Sequence, residues 1–144
     1  MFNQMAIKKT LLIFMVFIGI IAIFSIKNVI ETNQTIKEVL TKKETILDES
    51  QFIFNPIFEK NGSNNELKIL VEITSYMNPE ILQFNYKEQS LIEFGNIILQ
   101  PTKWTILEQS KYKVIGQLTF ELNKRVEQFK LKLFTYSDHE IHWN

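Results

Sequence analysis

The sequence predicts a mainly β protein in which an N-terminal transmembrane helix and a helical stalk precede an antiparallel β-sandwich. Three observations support this fold class. Residues 11–26 form an uncharged apolar run, residues 27–50 carry apolar side chains at helical spacing, and the later residues alternate between apolar and polar. Alternation with a period of two is typical of half-buried strands, whereas a spacing of three to four residues is typical of helices.

The first element is a membrane anchor at residues 10–27, preceded by a cytoplasmic tip at residues 1–9. The run LLIFMVFIGIIAIFSI is apolar enough to insert into a bilayer, at about −0.3 to −0.6 kcal/mol for each Leu, Ile, Val or Phe. Lys8 and Lys9 precede it, so the positive-inside rule predicts a single-pass protein of the cell membrane with a cytoplasmic N-terminus and an extracytoplasmic C-terminal domain. The alternative is a cleaved signal peptide, but no small-x-small cleavage site follows the run.

Composition narrows the partners of the external domain. The chain has 16 basic residues, 16 acidic residues and no cysteine. A near-neutral surface does not favour nucleic acid, because phosphate binding needs a concentrated basic face. Without cysteine the domain must be stabilised by core packing rather than by disulfides. The expected partners are the membrane and either another envelope protein or a second copy of the chain.

A helical stalk or linker is predicted for residues 28–50. The segment lacks Gly and Pro, and its apolar residues share one helical stripe: Val29, Ile36, Leu40 and Leu47. We expect this stripe to lie on the β-domain or on the bilayer surface. Two alternatives stay open, namely a disordered tether and self-association through the stripe, which the polar residues Asn33 and Lys43 interrupt.

The extracytoplasmic β-sandwich domain is predicted for residues 51–144. Long alternating runs lie at residues 67–73, 112–122 and 129–133, and shorter strands are predicted at residues 51–58, 81–86, 91–94, 96–99 and 140–143. Pro56 should restrict the first short strand to a sheet edge or divide it. Seven or eight short strands without a helical period favour an antiparallel sandwich of immunoglobulin-like architecture, although the Cys…Trp…Cys spacing of antibody domains is absent.

A family resemblance accompanies this pattern over residues 66–143. It rests on LKILVEITSYMNPEILQFNY, GNIILQPTKW and GQLTFELN…FKLKLFTYSDHEIHWN. These segments resemble small secreted or membrane-anchored prokaryotic sandwich domains of uncharacterised function, and more loosely the telokin-like extracytoplasmic domains of Gram-positive lipoproteins. The shared residues are turn and core residues, so the resemblance implies a fold and no chemistry. Members of the first group carry a His-His pair where this chain has residues 110–113, so no metal role is carried over.

No set of residues predicts catalysis. The chain has no cysteine nucleophile, its two histidines are His139 and His142, and no G-x-S-x-G elbow is present. We therefore expect no catalytic residue, no cofactor and no enzymatic activity.

The candidates for a metal site are Glu140 and His142. They share one face if residues 140–143 form a strand, and His139 then points to the opposite face. Two ligands fall short of the three or four that zinc sites use, so no metal site is predicted.

Trp104, three residues after Pro101, is the candidate aromatic residue for ligand contact. The alternative, which we favour, is a loop tryptophan folded over the edge of the sandwich.

These predictions favour a non-catalytic, membrane-anchored extracytoplasmic binding or interaction domain, because loops at the ends of a sandwich commonly bind partners. One alternative is a pilin-like or secretion-assembly subunit, which has the same layout but carries a Gly-Phe cleavage point and an early Glu that this chain lacks. The other is a small metal-binding extracytoplasmic module centred on Glu140 and His142.

Overall fold

Side-chain burial alternates along most strands of the structure, a computed structural model that describes residues 35–144. These residues form one unit. It contains a short 3-10 helix at Pro79–Gln83 and ten strands: β1 (Thr35–Val39), β2 (Lys43–Leu47), β3 (Ser50–Asn61), β4 (Asn64–Thr74), β5 (Ser90–Phe94), β6 (Ile97–Leu99), β7 (Lys103–Gln109), β8 (Lys113–Leu122), β9 (Phe129–Phe134) and β10 (Asp138–Trp143).

The strands pair into two antiparallel sheets. The larger sheet has the order β1-β3-β4-β8-β7, with β2 also paired to β3, and the smaller sheet has the order β10-β9-β5-β6. Tight turns join neighbouring strands, and Gly62 and Gly95 each take a positive φ at the first position of a two-residue turn. The prediction of a mainly β, antiparallel fold is confirmed.

One hydrophobic core lies between the two sheets. The inward faces of β3, β4 and β8 supply the larger sheet's share, and those of β5, β9 and β10 supply the other. Phe54 of β3 meets Trp143 of β10 edge to face, with their ring centroids 6.3 Å apart. The largest fully buried side chains are Tyr86, Phe52, Phe54, Phe120, Leu67, Ile69, Ile73, Ile81, Ile92, Leu118, Leu131 and Leu133.

The three long alternating runs are confirmed as strands β4, β8 and β9. Their apolar faces are buried as the period of two requires, with Ile69, Leu118 and Leu131 fully inaccessible. The exception is Tyr112, which precedes β8 and keeps 38% of its surface exposed. Tyr112 therefore belongs to the turn and not to the core.

Pro56 neither divides β3 nor leaves it at an edge. β3 is a continuous strand of 12 residues, paired with β4 on one side and with β1 and β2 on the other. The amide of Leu40 donates to the carbonyl of Pro56 at 2.9 Å, so the backbone of Pro56 faces the junction between β1 and β2. A proline has no N–H to donate, and the interruption between β1 and β2 lies where that bond would be needed.

The helical stalk is wrong for its described part. Thr35–Val39 and Lys43–Leu47 are strands, so the β-domain includes residues 35–50 as well as 51–144. Leu40 and Leu47, half of the predicted stripe, pack against the domain's own core. Ile36 and Leu40 are four residues apart, and an offset of four places two residues on one face of a strand as well as on one face of a helix.

Residues 81–86 form no strand. The 3-10 helix begins after Asn78 with Pro79, whose fixed φ suits a first helical turn. Ile81 and Leu82 are adjacent and both buried, a pattern that a strand facing one core cannot produce. The hydroxyl of Tyr86 then donates to the carbonyl of Ile81 at 2.9 Å and closes the segment.

The predicted cytoplasmic tip, the anchor at residues 10–27 and stalk residues 28–34 lie outside the described residues. Within residues 35–144, no helix has the length and apolarity needed to cross a membrane.

Candidate functional site

Four connections meet at one end of the domain, which we call the loop end. They are residues 48–49, 75–89, 110–112 and 135–137. The register places them together, because β2 joins β3 there, β3 and β4 pair through Gln51 and Thr74, and β4 and β8 pair through Thr74 and Lys113. Thr35 pairs with Asn61 at the opposite end. Connections gathered at one end of a rigid sandwich are a common place for binding residues.

The loop end carries a group of exposed side chains that we call the tyrosine surface: Tyr76, Met77, Tyr112 and Tyr136. Their exposed fractions are 71%, 74%, 38% and 53%. The rings of Tyr76 and Tyr112 contact each other, with centroids 5.2 Å apart, and Tyr136 contacts the half-buried ring of Phe84 at 5.4 Å. Large side chains that are exposed yet held by ring contacts are suited to binding, because little conformational entropy is lost on contact.

Asp48 anchors the turn that carries Tyr136. Its carboxylate accepts hydrogen bonds from Thr135 Oγ1 and from Ser137 Oγ at 2.8 Å, and it lies 3.0 Å from His139 Nε2. Burial alone would raise the pKa of Asp48, but the hydrogen bonds from Thr135, His139 and Ser137 outweigh it and lower the pKa to about 2. The group is therefore a carboxylate at neutral pH.

A second set of hydrogen bonds joins Asp48 to the segment that carries Tyr76. The side-chain amide of Asn78 donates to the backbone carbonyl of Asp48 at 2.9 Å, and the backbone amide of Asn78 donates to Ser75 Oγ at 3.1 Å. Ser75 also accepts a 2.8 Å bond from Ser50, and both serines are buried. We call these residues, with Asp48, Thr135, Ser137 and His139, the Asp48 cluster.

The Asp48 cluster contains a serine, a histidine and a carboxylate, but not in the arrangement of a catalytic triad. Ser137 Oγ and Asp48 Oδ2 lie 3.1 and 3.0 Å from the same ring nitrogen, His139 Nε2. A triad needs the serine and the acid on opposite nitrogens of the imidazole. Here Ser137 donates directly to Asp48, so the geometry favours a structural cluster.

Glu140 and His142 share the outer face of β10, as predicted, and His139 lies on the other face. His142 Nε2 lies 3.6 Å from Glu140 Oε2, while Lys130 and Lys132 lie 3.2 and 3.4 Å from the same carboxylate. The hydrogen bond from Lys130 is the main cause that lowers the pKa of Glu140. Two ammonium groups therefore occupy the positions that a cation would need. Among residues 35–144, no group of three or more His, Asp or Glu side chains converges in a way that could hold a metal ion.

Trp104 lies in strand β7 and not in a loop. Its half-buried ring lies over Gly116 of β8 and contacts Tyr86, with centroids 5.2 Å apart. The ring thus folds over the sandwich edge, and this packing accounts for the residue without a ligand. Its role as a ligand contact stays a prediction.

The surface of the described domain carries open cavities. One of about 400 Å³ lies near the Thr35 end and is lined in part by Lys60, Glu38 and Arg125. Arg125 pairs there with Glu38 at 2.8 Å and with Glu127 at 3.4 Å, so its charge is compensated. Ile36 and Phe58 line the same cavity, which is open to solvent and does not enclose a ligand as small-molecule sites typically do.

Sequence reasoning missed both the tyrosine surface and the Asp48 cluster. Asp48 and Thr135 are separated by 87 positions in the sequence, and they come together only because the two sheets pack against each other. One local signal was present, because Asp48 and Glu49 are polar residues between two β-type segments and Asp tolerates a left-handed turn.

Comparisons with known proteins found no relative. No family model, no curated protein and no solved structure matches the chain.

Proposed function

We propose that this protein is a membrane-anchored, extracytoplasmic, non-catalytic binding domain whose tyrosine surface contacts a protein partner. The observation that carries the proposal is the exposure of Tyr76, Met77, Tyr112 and Tyr136 at one end of the domain. Large apolar side chains grouped on a surface are characteristic of contact sites.

The composition of the tyrosine surface favours a protein as the partner. Tyrosine and methionine are enriched in protein interfaces, whereas lysine, glutamate and aspartate are depleted from their centres. Two charged groups contact the tyrosines. Lys111 Nζ lies over the ring of Tyr112, 4.9 Å from its centroid, and Tyr136 Oη lies 3.4 Å from a carboxylate oxygen of Glu80.

The strand order supports an immunoglobulin-like assignment for the domain. Strands β3-β4-β8-β7 of the larger sheet correspond in order and direction to strands A, B, E and D of that fold, and β10-β9-β5 of the smaller sheet correspond to G, F and C. β6 extends the second sheet beside β5, and β1 with β2 adds an edge to the first. Immunoglobulin-like domains commonly bind through loops at one end of the sandwich.

The proposed extracytoplasmic location of the domain is argued from the sequence. The apolar run at residues 11–26 and the lysines before it support a single-pass anchor with the domain outside the membrane. Thr35, the first described residue, lies at the end of the domain opposite the tyrosine surface.

Single-cysteine variants test location and contact together, because the chain has no cysteine of its own. Ser63→Cys lies in the exposed turn at the Thr35 end, and Met77→Cys lies in the tyrosine surface. Each variant is treated with a membrane-impermeant maleimide in intact cells and again as full-length protein purified in detergent.

We expect Ser63→Cys to react at similar rates in both samples and Met77→Cys to react more slowly in cells, where the partner covers it. Reaction of Ser63→Cys only after lysis would contradict the extracytoplasmic location. Equal rates for Met77→Cys in both samples would contradict the contact surface. If protection disappears after muramidase treatment and not after protease treatment, the partner is a polysaccharide and the assignment of a protein is wrong.

A further inference from the structure

We propose that Asp48 is a positioning residue that fixes Tyr76 and Tyr136 relative to each other, so that the tyrosine surface is formed before any partner binds. This inference rests on the proposed function for its biological meaning. Its structural content, the coupling of two loops through one residue, can be measured without a partner.

One side of the coupling runs through the carboxylate of Asp48. It is held by donors on both sides of Tyr136, namely Thr135 before it and Ser137 after it. His139 Nε2 lies 3.0 Å from the same carboxylate, at the start of β10. Because both neighbours of Tyr136 are fixed to one group, the direction in which Tyr136 projects is fixed as well.

The other side runs through the backbone carbonyl of Asp48. Asn78 donates its side-chain amide to that carbonyl at 2.9 Å and its backbone amide to Ser75 at 3.1 Å. Ser75 and Asn78 flank Tyr76 and Met77. The two halves of the tyrosine surface are therefore tied to one residue of the β2–β3 turn.

The backbone of that turn indicates that its conformation is imposed by its surroundings. Asp48 and Glu49 have φ values of 48° and 62°, and both are non-glycine residues. A two-residue hairpin turn of this kind is normally built with Asn-Gly, Asp-Gly or Gly-Gly, so aspartate suits the first position and Glu49 is the residue that a positive φ disfavours. Residues in sparsely populated backbone regions persist where contacts over-determine them, and they cluster at functional sites. A glycine here would relax the backbone but would remove the carboxylate that holds Tyr136.

The test uses the full-length protein in detergent micelles, labelled with 3-fluorotyrosine at its four tyrosines. The buried Tyr86 serves as an internal control for folding. In Asp48→Asn the left-handed preference is kept, because asparagine tolerates it, while the charge is lost. We expect the ¹⁹F signals of Tyr76 and Tyr136 both to move toward the shift of free fluorotyrosine, because release of the carboxylate frees Tyr136 directly and Tyr76 through the turn. The charge of Asp48 also acts on Tyr86, so the folded state is recognised by a Tyr86 signal that stays distinct from free fluorotyrosine. We also expect exchange of the Asn78 backbone amide to become faster, because the turn whose carbonyl accepts from the Asn78 side chain is no longer held through its carboxylate.

One-sided variants separate coupling from general loosening. Ser137→Ala should shift the Tyr136 signal and leave Tyr76 unchanged, whereas Asn78→Ala should do the reverse. Asp138→Asn, the same charge change at an exposed position beside the turn, should alter neither signal.

Unchanged Tyr76 and Tyr136 signals in Asp48→Asn would overturn the inference, and so would a shift of Tyr136 alone. If Tyr86 also takes the shift of free fluorotyrosine, the variant has lost its fold and the one-sided pair decides. The inference then fails unless Ser137→Ala and Asn78→Ala each act on their own tyrosine. None of these outcomes depends on a partner, so failure here leaves the proposed function intact. Conversely, unprotected Met77→Cys in cells would overturn the proposed function without changing these spectra.

Discussion

Replacing Gly116 with alanine should destabilise the domain because the ring of Trp104 occupies the space above it. A Cβ built on Gly116 would lie 2.1 Å from Trp104 Cη2 and 2.3 Å from Cζ2, whereas ordinary contact begins at 3.4 Å. The ring would have to move by about 1.3 Å, which would disturb its packing against Tyr86. Overpacking of a well-packed site costs about 1–3 kcal/mol, and we expect a value in the upper half of that range.

The assay is a double-mutant cycle in urea, followed by circular dichroism, with Gly116→Ala, Trp104→Ala and the double variant in the full-length protein. In the Trp104→Ala background the new methyl group finds free space, so Gly116→Ala should then cost less than about 0.5 kcal/mol or even stabilise the strand. The coupling energy should be about 1–3 kcal/mol. Additive effects of the two substitutions would refute the ring contact and the placement of Trp104 over β8.

Three further predictions concern the core, the corrected N-terminal strands and acid stability. Phe120→Ala should cost about 3–5 kcal/mol in urea unfolding because Phe120 is fully buried. Thr119 is 9% exposed but points away from the core, so Thr119→Ala loses only a 3.4 Å bond from Gln117 and should cost under about 1 kcal/mol. Equal small costs would mean that the register of β8 is wrong. Leu40→Asp should raise the cost of folding by about 2 kcal/mol or more because Leu40 packs on the core. Its neighbour Val39 is 72% exposed, so Val39→Asp should cost under about 1 kcal/mol. Equal costs would indicate that residues 35–50 form a stalk separate from the domain. The pKa of Asp48 is lowered from 3.8 to about 2 on folding, so its ionised form stabilises the protein by about 2 kcal/mol above pH 5, and this contribution is lost as the pH falls toward 2. Asp48→Asn should therefore destabilise the protein at pH 6 and have a much smaller effect at pH 2, and a pH-independent difference in unfolding free energy would contradict the lowered pKa.

The parts of the fold that were predictable are those encoded in short alternating runs. Strands β4, β8 and β9 each present one apolar face to the core. A period of two can be recognised in the sequence without knowing which strands lie on either side. The shared outer face of Glu140 and His142 was predictable for the same reason.

The parts that failed depend on contacts between distant residues. Ile36 and Leu40 fit a helix and a strand equally well, and only the pairing of β1 with β3 decides between them. β7 was missed because its exposed residues Ile106 and Leu107 break the alternation at a bulge, which sequence spacing does not reveal.

The candidate site was less predictable than the fold. Asp48 can be recognised as part of a site only through its contacts with Thr135, Ser137 and His139. These residues follow it by 87, 89 and 91 positions in the sequence. Tyr76 and Tyr136 carry no periodic signal, since exposed residues in connections are not constrained by a core. Tyr112 continues the alternation of β8 in sequence, although it is exposed.

Site-specific photo-crosslinking in intact cells tests the central claim, contact through the tyrosine surface, most directly. A photoreactive amino acid replaces Met77, which is 74% exposed, and in a matched variant it replaces Ile98, which is 62% exposed on the edge strand β6. We predict a discrete protease-sensitive adduct from position 77 and none from position 98. Equal yields from both positions, or no adduct from position 77, would contradict the account.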